Sequence, residues 1–499
     1  MTRFSVAMTS STDVALREHL LRADGQEDLC LATYRPSSGR KRRTAVLREV
    51  MLPREGERAV HGNATFTGDY VLRVAAAAKA DSSGVALLHS HPAGSGWQRL
   101  SGLDTAAESS YSHLVNTVTG LPFVGLTLAG DDAWSARFWM SNSERIWCEN
   151  VRVLGPQLRV FWNDRLRPPP LSQDSQVRTV SAWGEGIQAD MARLRVLVVG
   201  AGSVGLDVAL RLAATGIESI AVMDYDTVEL VNLDRLIGAT RSDVALRRSK
   251  AEIAERLMRG ATTAAKPDLH AHELSVGTPE GLAVALDFDV LFSCVDRPWP
   301  RGVLNTIAYA DLVPVIDGGI AIDAFDDGGG MRNATWRTHV LRPGRPCVVC
   351  NGQADPAEIV QDRLGLFDDP DYIARAAATR APGGPANSPA RENVAVLSAG
   401  VSASLLSQFV SLVVAPGGIG DPGPLRYWLS THTLERMTVA TRPHCTVEKA
   451  AASGDLRPVL TGPHPAANDR IAERRQAQSN HRQRMRRLGT NLFLKLSGR

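Results

Sequence analysis

Net charge, pairable cysteines and unbroken apolar sequence are all scarce in this chain of 499 residues. Its 56 basic and 53 acidic residues leave a formal charge of only +3, too small to make nucleic acid an expected partner. Six cysteines (Cys30, Cys148, Cys294, Cys347, Cys350 and Cys445) are scattered along the chain, which does not suit a disulfide framework. A reducing, cytoplasmic compartment is expected. The first residues, MTRFSVAMTSSTDVALREHLL, lack the apolar core and cleavage site of a secretory signal. Apolar stretches read as interrupted short of the roughly 18–20 residues that cross a bilayer, so no membrane is expected. No internal repeat is evident.

What is present suits two or three globular domains, with 44% hydrophobic and 22% charged residues. The spacing predicts a helix over 13–23, stopped by Asp24-Gly25, then strands over 28–34 and 44–52 with RPSSGRKRR between them. An alanine-rich helix near 70–80 precedes GVALLHSHP, a buried strand running into a loop. The proline-rich RLRPPPLSQDSQ marks a linker, placed at 166–177 between domains at 1–165 and 178–450. LRVLVVGAGSVGLDVALRLAATG followed by ESIAVMDYD predicts strand, helix, strand with parallel topology. DVLFSCVD and VPVIDGG supply later strands of one doubly wound sheet. TRAPGGPANSPAR, over 379–391, reads as a mobile low-complexity loop. Residues 451–499 read as a polar, basic tail.

His89 and His91 stand two apart on an extended segment, where both imidazoles can face one cation. Asp104 lies downstream at the expected start of a helix. Two histidines, a carboxylate and a water make an open tetrahedral zinc site, in which zinc activates the water and a nearby carboxylate moves its proton. HSHPAGSGWQRLSGLD resembles the JAMM motif of the JAB/MPN metallo-isopeptidases, an α/β fold of cytidine-deaminase-like architecture. The resemblance implies His89, His91 and Asp104 as zinc ligands and Ser101 as the group holding the tetrahedral intermediate. It also implies a catalytic glutamate, Glu27, with Glu49 a weaker candidate one strand later. The ten-residue gap from His91 to Ser101 exceeds the eight of the usual pattern.

Gly200, Gly202 and Gly205 follow a buried strand and open a helix, where backbone and helix terminus favour phosphate. Asp224 ends the next strand, placed for a ribose hydroxyl. Alone this pattern is the dinucleotide fingerprint, for which NAD is the usual ligand. DYDTVELVNLDR adds Asp226, Asn232 and Arg235, and Lys250 and Asp296 follow. Cations for a triphosphate and acids for Mg2+ favour attack on the α-phosphate of ATP. Residues from about 178 to 448 resemble the ThiF/MoeB/HesA superfamily, which includes the ubiquitin-activating enzymes. That resemblance implies a Rossmann-like adenylation domain in which Asn232, Arg235 and Lys250 serve phosphates, Asp296 serves Mg2+ and Arg301 lies near the nucleotide. Arg178 is implied to reach a partner subunit's site, hence a homodimer. Leu236 stands where the family usually has glutamine.

CVVC (Cys347, Cys350) matches half of the family's structural zinc site. Cys445, with His444 or Glu448, would complete a second Zn2+ site, and a knuckle held by packing alone is the alternative. No cysteine stands out as a thioester nucleophile, and Cys294 reads as a core residue. The expected activity is bifunctional: ATP-Mg2+-dependent adenylation of the C-terminal glycine of a ubiquitin-like protein, and zinc-dependent processing or deconjugation of it. Any ubiquitin-conjugating-type carrier is expected on a separate chain. The alternatives are sulfur-carrier activation in cofactor biosynthesis and a non-catalytic scaffold binding a ubiquitin-like tail.

Overall fold

The computed structural model describes residues 2–61, 63–325, 330–378 and 393–496. The stretch 379–391 lies outside them. The chain builds two sheets. The first runs, in order, Leu158–Trp162, Asn150–Leu154, Arg3–Thr9, Arg42–Met51, Leu29–Ser38, Gly84–His91, Phe123–Ala129, Trp134–Trp139 and Arg145–Trp147. Side chains alternate across it, as the two-residue period of a strand requires. Leu29 and Leu31 join Tyr70, Val74 and Val115 beneath the helices Gly68–Ala80 and Gly102–Thr119. Cys30 and Ala32 face the opposite core with Leu16 and Leu20 of the helix Ser10–Leu20. The first helix therefore ends earlier than expected, and both strands of the first hairpin extend into RPSSGRKRR. A type of turn only about three residues long is left, because Pro36, Ser37 and Ser38 pair with Ala45, Thr44 and Arg43.

The second sheet runs Asp268–His272, Ser219–Met223, Arg195–Val199, Val290–Ser293, Val315–Ala324, Met331–Leu341, Leu425–Trp428 and Thr433–Arg436. Its first five strands are parallel and the rest antiparallel. From Arg195–Val199 the chain moves outward to one side, then returns to add Val290–Ser293 on the other. In such sheets a crevice opens beyond the strand ends at that switch point.

The helix Ala395–Val414 corrects one expectation. Its 20 uncharged residues are long and apolar enough to cross a membrane by length and composition. Here Val401, Leu405, Phe409 and Leu412 are buried in the core beside the helix Ser203–Thr215.

Two further expectations change. The proline-rich linker is tied down: Arg167 Nε donates to Arg193 O at 2.8 Å, and buried Gln176 donates to Thr263 Oγ1 at 3.2 Å. Beyond residue 450 the chain is packed rather than loose. Ala452 N donates to Tyr309 O, and Arg457 pairs with buried Asp311. A helix, Pro465–Leu496, follows.

One apolar core crosses the boundary between the sheets, with Ala7, Val46, Leu154, Leu158 and Trp162 of the first meeting Leu194 and Val196 of the second. Buried Asp289 sits beside it. It accepts from Arg42 at 2.6 Å and Arg152 at 3.1 Å, both from the first sheet, and from Arg195 N at 3.0 Å. Arg195 in turn makes a two-pronged pair with Glu149.

Candidate nucleotide site and candidate metal centres

The switch-point crevice is a cavity of about 880 Å³. Gly200, Gly202, Asp224, Asp226, Asn232, Arg235, Lys250, Asp296 and Arg301 all line it, although they are drawn from positions a hundred residues apart. The glycines have distinct reasons. Gly200 has φ +95°, and a Cβ on it would meet Cys294 O at 2.5 Å. A Cβ on Gly205 would lie 1.8 Å from Gly200 O, so this glycine lets the helix pack onto its own loop. Gly202, with φ −70°, has open space where its Cβ would be and caps the helix Ser203–Thr215. Its open side suits a phosphate at a helix amino end.

Acids and bases are interleaved in the crevice. Asp224 accepts from Ala201 N and from Asp226 N, both at 2.7 Å, and so braces the glycine loop. Burial, then the neighbouring Asp226, pushes its carboxyl up to about 6. Lys250 Nζ donates to Asp226 Oδ2 at 2.9 Å. Arg301 donates to Asp317 at 3.0 Å and to Val295 O at 2.6 Å. Arg235 donates to Asp234 and Val231 O, both at 2.8 Å. The amide oxygen of Asn232 accepts from Glu229 N. Leu236, in place of the family's glutamine, is buried in the apolar core.

Sequence reasoning missed several lining residues: Tyr225, Arg297, Arg337, Asn393, His464 and Arg470. Arg470 belongs to the basic stretch read as tail, and nothing in its local sequence signals a site. Cys294, read as core, is half-buried and lines the crevice, where burial pushes its thiol pKa up. Arg178 does not line it. It lies exposed on the helix Val177–Trp183, and its own chain does not bring it to the nucleotide residues.

In the first domain, His89 and His91 end the strand Gly84–His91, side by side because they are two apart. Their Nε2 atoms lie 3.2 Å apart, with Asp104 Oδ2 at 4.0 Å from His89 and 3.6 Å from His91. Ligands about 2.0–2.1 Å from a tetrahedral zinc lie roughly 3.3–3.5 Å from each other, so the three donors fit that ion. Asp104 is aimed by helix capping. Ser101 caps the helix Gly102–Thr119, its Oγ accepting from Asp104 N, while Asp104 Oδ2 accepts from Ser101 N. Burial, with Arg137 adding to it, pushes His89 down to about 4, which keeps its ring in the neutral form that binds metal. Ser101 is exposed at the helix end, beside the Asp104 carboxylate.

Glu27 is carried toward the same place. Leu29 pairs with His89, and Asp28 and Ser90 exchange bonds, Asp28 N donating to Ser90 Oγ and Ser90 N to Asp28 O. Glu27 is the residue just before Asp28. Burial raises its carboxyl pKa, His91 opposes that shift and Asp104 adds to it, so Glu27 is within electrostatic reach of both. Glu49 is exposed on the strand Arg42–Met51.

The sulfurs of Cys347, Cys350 and Cys445 also converge, with Cys347 and Cys445 at 3.6 Å. Zinc–sulfur bonds of 2.3 Å put tetrahedral thiolates about 3.8 Å apart, so these donors fit too. Backbone N–H groups of Arg442 and Glu448 donate to Cys350 and Cys445. Glu448 Oε1 accepts from Gly344 N, and its buried Oε2 has no hydrogen-bond partner among the described residues. His444 is exposed.

A switch-point crevice with a glycine loop, a strand-end acid and several cations defines a nucleotide-binding α/β domain. Residues 173–417 match the ThiF family model, and they form a ThiF-family domain. Over 156 residues the chain is 30% identical to the adenylyltransferase and sulfurtransferase MOCS3 of Anopheles gambiae, covering 31% of this chain and 34% of that one. Over 201 residues it is 29% identical to the Nedd8-activating enzyme E1 catalytic subunit of Drosophila melanogaster, covering 36% and 39%. The chain thus spans about a third of the length of these curated relatives. Among solved structures, E. coli MccB with ATP aligns at 16% identity and a TM-score of 0.41, covering 55% of this chain and 74% of that one.

Proposed function

We propose that this chain is an ATP-dependent adenylyltransferase acting on the C-terminal carboxylate of a ubiquitin-like or sulfur-carrier protein, joined to a zinc (iso)peptidase of the JAMM type for the same class of tail. The observation that carries the first half is the convergence of the glycine loop, Arg235, Lys250 and Asp296 on one crevice within ThiF-matching residues. A carboxylate is a poor electrophile, and joining it to AMP supplies a leaving group. Gly202 leaves room for phosphate, Asp224 fits the ribose, and Lys250 and Arg235 offset charge developing at the α-phosphate. Asp296, with Asp226 nearby, fits Mg2+.

The convergence of His89, His91, Asp104 and Glu27 supports the second half. Zinc, when bound there, supplies an activated water and polarises the scissile carbonyl. Glu27 is placed to accept and return a proton, and Ser101 can donate to a developing oxyanion. Beside this centre a cavity of about 780 Å³ is lined by Trp97, Arg99, Thr105 and Trp147 of the first domain and Arg193 of the second. An extended tail fits such a space. The three cysteines fit a second, structural zinc, and Glu448 is the better candidate for its fourth ligand, since His444 points to solvent.

The test is ATP–pyrophosphate exchange in the presence of a small β-grasp protein ending in Gly-Gly. Exchange should depend on that protein and fall about a hundredfold or more in Asp296→Ala and Lys250→Ala. A tightly bound nicotinamide cofactor and no exchange would return the crevice to ordinary dinucleotide binding.

A further inference from the structure

One wall of the nucleotide crevice comes from outside the ThiF-matching residues. It is supplied by His464 and Arg470, on a segment, 459–474, that is tied down on both sides. Trp299 Nε1 donates to Leu460 O at 2.8 Å, and Gly462 N donates to Gly277 O at 2.9 Å. The His464 ring stacks on Trp299, with centroids 4.9 Å apart and planes at 27°. Further on, Arg474 pairs with Glu273. Between these anchors Arg470 reaches the crevice, its guanidinium 5.8 Å above the Tyr225 ring.

There Arg470 Nη1 donates to Asp226 Oδ1 at 2.5 Å, while Lys250 Nζ holds Oδ2 of the same carboxylate at 2.9 Å. One acid therefore carries two cations. We propose that Arg470 is a positioning residue for the nucleotide, neutralising Asp226 so that Lys250 can leave that carboxylate for an incoming polyphosphate. The inference rests on the adenylation reading above.

The physical case lies in what Asp226 would otherwise face. Its backbone N–H is held by Asp224, so a second carboxylate is always adjacent. If Lys250 moved away and nothing replaced it, two neighbouring acids would share a half-buried site without a counter-ion. Lys250 is the deeper cation, with 16% of its side chain exposed, and it lies among Asp224, Asp226 and Asp296. Arg470 is 48% exposed, stays charged at any ordinary pH, and approaches from the solvent side of the same acid. The inner cation can then serve phosphate while the outer one keeps the carboxylate neutralised. The C-terminal segment thereby becomes part of the nucleotide site.

ATP-Mg2+ binding to the full chain, followed by calorimetry, tests this. Arg470→Ala should weaken binding about tenfold with an unchanged Tm, since the side chain is half exposed, and Arg470→Lys should restore most of it. Asp226→Asn combined with Arg470→Ala should lose no more than Asp226→Asn alone, because the acid that Arg470 serves is gone. Undiminished ATP binding by Arg470→Ala, or defects that add in full in the double variant, would overturn the role. A wild-type chain that binds no ATP would overturn the nucleotide reading along with it.

Discussion

At the scale of single residues, the candidate metal centre uses side chains that already have a local job. Asp104 is both the capping partner of Ser101 and the carboxylate that closes the His89–His91 pair. Removing one ligand from a three-residue set should release its metal while leaving the distant cysteine cluster loaded. Metal analysis of the whole protein is expected to give about two zinc ions per chain, falling to one in His91→Ala. Glu27→Gln should keep both and lose cleavage of a ubiquitin-like fusion. If Glu49→Gln is the inactive variant instead, the proton shuttle has been assigned to the wrong strand. The clustering of His89, His91 and Asp104 was legible in sequence because strand alternation and helix capping are short-range. Arg337 and Arg470 were not, since long-range packing alone brings them to the crevice.

At the scale of elements, the glycine loop shows how one motif divides its labour. Gly205→Ala forces a Cβ to 1.8 Å from Gly200 O, where backbone must move. That should cost about 1–3 kcal/mol, read as a lower Tm. Gly202→Ala meets no atom of the described residues within 4 Å and has an ordinary φ, so Tm should stay near the wild-type value while ATP binding weakens. Equal Tm losses in both variants would remove the distinction. The helix Ala395–Val414 teaches the opposite lesson about reading elements: composition alone does not separate a core helix from a membrane span. Its neighbours decide, here the helix Ser203–Thr215 and the strands after the switch point.

At the scale of the whole molecule, the two domains are fastened by buried charge. Burial alone opposes ionisation of Asp289, but Arg42 and Arg152 hold its pKa well below the usual carboxylate value. Its contribution to stability is thus present above the ordinary value of 3.8 and is lost as pH falls through the depressed native one. Asp289→Ala leaves two buried guanidinium groups unpaired and should cost about 3–5 kcal/mol, measured by denaturant unfolding. A loss under 1 kcal/mol would show the cluster to be incidental. Arg178 concerns assembly. If it serves a partner subunit, mixing inactive Arg178→Ala and Asp296→Ala chains should restore part of the exchange activity, and a fully active monomer would refute the shared site. Sequence alone pointed to the glycine loop, the parallel strands around it and the neighbouring His89, His91 and Asp104, because periodicity, turn chemistry and spacing act over a few residues. Only tertiary structure decided that the linker is packed, that Asp289 joins the domains and that Arg470 enters the nucleotide crevice. Those contacts join residues up to 247 positions apart, and their energy comes from burial and charge pairing that no local pattern encodes.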